Sequence, residues 1–125
     1  AVIGKENDVG EVYQIEELEY KLQRAILVRE GHQGREYDSL DERCFTEPLQ
    51  YDLSNPDCIV PGWNGEQASR KGAVVNWGEW EEMKTEYYGL RQWDPTTGLQ
   101  TREQLESLEL SDVADDLERR GLLGS

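Results

Sequence analysis

Val12, Ile15, Leu18, Leu22 and Ile26 recur at steps of three and four residues, the longest apolar period in the chain. That spacing collects side chains on one face of a helix. Ala25 lies beside the last of them, and Glu16, Glu17, Glu19, Lys21 and Arg24 fall on the other faces. The pattern predicts an amphipathic helix over 12–29, with Glu17–Lys21 as a favourable i,i+4 pair. Gly31 stands just past its end, where positive φ is cheap only for glycine. The stripe is expected to face the core. A coiled-coil seam is the alternative, because 15, 18, 22 and 25 follow a/d spacing, although fewer than three heptads are present. Residues 1–10, with Gly4, Asn7, Asp8 and Gly10, are expected to form a loose N-terminal segment.

Regular spacing stops after Gly31. Residues 31–75 hold three of the four prolines and carry the turn signals Asn55-Pro56-Asp57, Pro61-Gly62 and Asn64-Gly65. They are expected to be an extended, irregular region that wraps its own body or a neighbour. Asn64-Gly65 could close a small hairpin whose arms are Cys58-Ile59-Val60 and Ala73-Val74-Val75.

Helical signals return at Asn76, which has N-cap character with Glu79 three places on. Trp77, Trp80, Met83 and Tyr87 then form an aromatic stripe, with Gly89 at its end. Core packing is the expected role of that stripe, and an exposed anchor surface is the alternative. Pro95 and Gly98 mark a turn over Trp93–Gly98. Thr101 and Gln104 signal a capping box for a short helix, and Ser111 caps another that ends at Gly121, with Leu122 placed for a C-cap contact. The run ending Leu117-x-x-Arg120-Gly121-Leu122 resembles the first helix of a SAP-type helix–turn–helix. Its surroundings are acidic where a DNA-binding face is basic, so no function is carried over.

These elements predict a single small domain over 1–125, mainly α, or α+β with the small hairpin. The N-terminal helix, the irregular middle, the aromatic helix and a C-terminal pair of short helices follow one another.

Charge limits what such a domain can touch. Acidic residues number 27 against 13 basic, a net charge of −14, and they are spread along the whole chain. A basic face for phosphates is missing, so direct nucleic-acid binding is not expected, nor attraction to an anionic membrane. The longest aliphatic run, Ala25–Val28, is far short of a membrane span. Two cysteines and no Asn-X-Ser/Thr sequon favour a soluble protein of an intracellular compartment, cytoplasmic or organellar, and a start at Ala1 without Met is expected to reflect processing or engineering of the terminus.

Reaction machinery is hard to find. His32, the one histidine, sits in a Gly31–Gly34 loop and is expected to be solvated. Cys44 and Cys58 lack the paired spacing of a zinc site. No glycine-rich phosphate loop occurs. No catalytic residue, cofactor or metal is therefore expected. Composition instead favours a non-catalytic accessory or assembly subunit. It would dock on a larger complex with a basic or mixed surface through the extended middle and the aromatic anchors Trp63, Trp77, Trp80, Tyr87, Tyr88 and Trp93. An acidic DNA mimic acting on a nucleic-acid enzyme is the second reading, and an enzyme pairing His32 with Cys44 or Cys58 the third. Adaptation to high salt is a rival explanation of the charge itself.

Overall fold

A computed structural model describes residues 9–125, so most of the expected loose segment 1–10 lies outside the described residues. The helices are α1 (Val9–Arg29), α2 (Arg43–Thr46), α3 (Trp77–Leu90), α4 (Arg102–Glu106) and α5 (Ser111–Arg119). A 3-10 turn spans Gly34–Glu36, and one antiparallel hairpin joins β1 (Ile59–Pro61) to β2 (Gln67–Ser69). The class is mainly α with a small hairpin, as the spacing predicts. Among the described residues no helix is long and apolar enough to cross a membrane.

The chain divides into two units. One joins the described residues up to Asp38 to Thr85–Ser125, and the other is Ser39–Lys84.

In the first unit, Gly31 does what the sequence asks of it. Its φ is 109°, and the N–H groups of Gly31 and His32 return to the carbonyls of Val28 and Leu27 at 3.1 and 3.0 Å. Those two bonds satisfy carbonyls that the last turn of α1 leaves open. Gly121 repeats the device for α5 at φ 69°, with Leu122 bonded back to Leu117 and packed on the core. The Leu-x-x-Arg-Gly-Leu ending is thus helix-closing grammar. Thr101 caps α4 by accepting from the Gln104 N–H. Ser111 does not cap α5: it is the first helical residue, and Leu110 occupies the capping position without a side-chain bond.

The expected core face of α1 is corrected. Its buried residues are Lys21, Arg24, Ala25 and Val28, whereas Val12, Ile15 and Ile26 are exposed by 42%, 50% and 50%. An aromatic surface explains the rotation. The Trp93 ring lies 5.3 Å from Lys21 Nζ and 4.7 Å from the Arg24 guanidinium carbon. Both side chains lay apolar stems inside and hold their charges over a π face. Farther along, Ala25 meets Leu105, Ala114 and Leu117, with Leu110, Val113, Leu122 and Leu123 around them.

The turn after α3 is tied at several points. Asp94 accepts from the Thr96 and Thr97 N–H groups and from that of Ser125. Gly98 takes φ 66°, and a Cβ there would sit 2.9 Å from Arg35 N and 3.0 Å from the Tyr88 ring, so glycine is required.

In the second unit the expected hairpin partner is also corrected. β1 pairs with Gln67–Ser69, in register Ile59 with Ser69 and Pro61 with Gln67, and not with Ala73–Val75. Pro61 sits at the end of its strand, where a missing N–H is tolerated. The Ala73 carbonyl instead accepts from Leu49 N–H, and Val75 donates to the Cys44 carbonyl. Asn76 caps α3 as predicted, its side chain accepting from Glu79 N–H at 3.1 Å.

Candidate functional site

Asp38 is the centre of a polar node in the first unit. Arg24 donates to both its oxygens, at 2.8 and 2.5 Å, and Tyr88 donates its hydroxyl at 2.6 Å. Arg24 also reaches the Gly98 carbonyl at 2.9 Å. His32 completes the set: its Nδ1 accepts from Gly34 N–H, which leaves a proton on Nε2, 3.3 Å from Asp38 Oδ1. His32 is therefore not the solvated loop histidine that its flanking glycines predict, and neither cysteine is among its partners. Such a node fixes α1, the 32–38 loop, α3 and the Gly98 turn in one arrangement. Its carboxylate is committed to donors on both oxygens, so its work is structural positioning.

Burial alone would raise the Asp38 pKa, but Arg24 and then Tyr88 outweigh it and hold the carboxyl below its ordinary 3.8. Asp94 is likewise lowered, because the N–H groups of Thr96 and Ser125 overcome its burial. Lys21 is pushed down by burial, with Glu17, 3.1 Å away, opposing the shift. Tyr20 shares a very short hydrogen bond with Tyr87 beneath the Arg91 guanidinium. Burial and then that bond push Tyr20 up to about 12, and Tyr88 is raised as well.

A pH profile of stability follows with fixed signs. The depressed aspartates contribute stability that is present above 3.8 and is lost as pH falls below it through their folded values. Tyr20, raised in the fold, contributes stability that is complete below 10.0 and lost between there and about 12. Unfolding midpoints measured from pH 2 to 12 should show that plateau, and phenolate absorbance should show Tyr20 and Tyr88 ionising above 10.0. Ionisation of Tyr20 or Tyr88 at or below 10.0 would remove this account of the two sites.

The second unit carries an open cleft of about 840 Å³. Leu49, Val74, Val75, Trp80 and Met83 give it an apolar surface, with Cys44 beside them, and Arg43, Arg70, Glu47 and Glu79 bring charge. Phe45 packs edge-on against Trp77 and Trp80, with centroids 4.8 and 6.5 Å away.

The six predicted anchors separate between these places. Tyr88 and Trp93 are 1% and 3% exposed and belong to the interior of the first unit, where Tyr87 packs edge-on to both. They cannot serve as anchors. Trp77 is 56% exposed and Trp63 fully so, while Trp80 is half-buried at the cleft. Sequence reasoning missed Lys21, Arg24 and Asp38. The signal was available in the i, i+3, i+4, i+7 spacing of Lys21, Arg24, Ala25 and Val28, once long cationic side chains are allowed an inward face.

Comparison with known families adds what geometry alone does not. The family model described as aldehyde ferredoxin oxidoreductase, domains 2 & 3, matches residues 1–110. No curated protein and no solved structure matches the chain. The match runs through both units, and it overturns the expectation of a non-catalytic accessory or assembly subunit together with that of a non-enzyme. Composition misled here because an oxidoreductase segment can lack a recognisable reaction motif of its own.

Proposed function

Because the chain belongs to the aldehyde ferredoxin oxidoreductase family, its match lying in domains 2 and 3, we propose that it forms part of an enzyme that oxidises an aldehyde with ferredoxin as electron acceptor. The family match over residues 1–110 is the observation that carries this reading. Addition of water and removal of two electrons convert the aldehyde to a carboxylate, with protons released to solvent. Such electron transfer calls for a redox group. The donors described here do not fit one: no three His, Cys, Asp or Glu side chains among the described residues converge to hold a metal ion, and His32 already has partners on both nitrogens. No step is therefore assigned to such a group within this chain. Its own residues supply a rigid framework, built on Trp93 and the Asp38 node.

The test is an anaerobic assay of the purified enzyme that contains this chain, with oxidised ferredoxin followed by its visible absorbance. Bleaching that depends on added aldehyde is the expected result. A folded, redox-loaded enzyme that leaves ferredoxin oxidised with aliphatic and aromatic aldehydes alike would rule the reading out.

A further inference from the structure

The loop that closes the hairpin in the second unit leaves one asparagine amide without a partner. Asn64 and Gly65 occupy its tip, and both are exposed, as is Trp63 beside them. The Asn64 side-chain amide makes no hydrogen bond among the described residues; only its backbone N–H is held, by Glu66 Oε2 at 2.9 Å. Gly65 takes φ 81°, and a Cβ built on it would meet nothing within 4 Å. Its N–H reaches the Gly62 carbonyl at a long 3.2 Å. Glycine thus leaves its backbone nitrogen unscreened beside a primary amide that no hydrogen bond restrains.

Neither of the other described asparagines shares this combination. Asn55 precedes Pro56, whose nitrogen carries no proton, and its amide is bonded at both ends to Ile59, at 2.7 and 3.0 Å. Asn76 precedes Trp77, the first residue of α3, and its side chain is committed to the Glu79 N–H at 3.1 Å.

We propose that Asn64 is a site of spontaneous modification, losing its amide to become aspartate and isoaspartate in the folded protein. The Gly65 nitrogen attacks Asn64 Cγ; the new N–Cγ bond replaces Cγ–Nδ2, and ammonia leaves with the Gly65 amide proton. Water then opens the resulting cyclic imide. Cleavage at Cγ gives aspartate, and cleavage at the Asn64 main-chain carbonyl gives isoaspartate, in which the chain runs through the side-chain carbons. Either product sets a second carboxylate beside Glu66. Isoaspartate also lengthens the backbone by a methylene, inside a loop that the Gly62 N–H and Glu66 carbonyl close at 2.7 Å. Arms of three residues give the hairpin little with which to resist, so the change should release that closure. The proposal does not depend on the aldehyde reading.

The test is incubation of the purified enzyme containing this chain at mildly alkaline pH, followed by peptide mapping and by methylation with an isoaspartyl methyltransferase. Asn64 should convert on the order of tenfold faster than Asn76, whose cap bond must first break. The methyl label should fall on the peptide carrying residue 64. Asn64→Gln, whose longer side chain closes the imide poorly, should abolish it. In the modified fraction the Gly62 N–H should exchange with solvent faster than in fresh enzyme, and unchanged exchange there would refute the loosened loop. Asn64 intact in native enzyme but converted after unfolding in urea would overturn the proposal, since fold or assembly then shields the site. So would conversion no faster than at Asn76, or a methyl label on that peptide that survives Asn64→Gln.

Discussion

Trp93→Ala is expected to destabilise the protein by about 3–5 kcal/mol, the range for deleting a large buried aromatic side chain. Trp93 packs between side chains of α1 and α3. Its ring stacks with Tyr20 and Tyr88 at 6.2 and 5.9 Å and meets Tyr87 edge-on. The Lys21 and Arg24 cations lie over it. Removing the indole opens a cavity and strips both cations of their π face, leaving two buried charges less well compensated. Trp93→Phe keeps a ring and should lose markedly less. Denaturant unfolding followed by far-UV circular dichroism reads both variants, and a loss below about 1 kcal/mol for the alanine would contradict the central place given to this residue.

Arg24→Met is the second large effect, expected to cost about 3 kcal/mol, because removing one member of a buried pair leaves the other uncompensated. Arg24 and Asp38 side chains are 8% and 24% exposed, so solvent can only partly take over the lost partner. Methionine keeps an unbranched stem and removes the guanidinium, which pairs with Asp38 and lies over the Trp93 ring. Arg24→Lys retains charge but not the paired bonds to Asp38 or the bond to Gly98, and should fall between. Adding Asp38→Asn to Arg24→Met should cost less than the sum of the two single changes, since the stranded carboxylate is then gone. Strict additivity would mean that the pair is not coupled.

These residues also show what the sequence could and could not convey. Helix ends were legible because they depend on local chemistry: Gly31 and Gly121 at positive φ, Thr101 and Asn76 as caps, and the Asp94–Gly98 turn all stand where their residue types demand. Which face of a helix goes inward is settled by partners far away in sequence. Hydropathy favoured Val12, Ile15 and Ile26, but Trp93 draws Lys21 and Arg24 inward and leaves those three exposed. Ala73–Val75 looked like a strand from its side chains, yet the hairpin closes earlier on Gln67–Ser69 through a bond from Gly62 N–H to the Glu66 carbonyl. Function was the least legible level. Neither the Asp38 node nor the cleft resembles a catalytic motif, and the enzyme class emerged only from the likeness of residues 1–110 to a whole family.

The reaction proposed for the enzyme that contains this chain is tested most directly by its stoichiometry. The enzyme containing this chain should be incubated anaerobically with an aldehyde and excess oxidised ferredoxin, and both the carboxylate formed and the ferredoxin reduced should be measured. Two electrons recovered in ferredoxin for each carboxylate formed is the predicted result. Carboxylate formed without ferredoxin reduction, or ferredoxin reduced without carboxylate, would contradict the account.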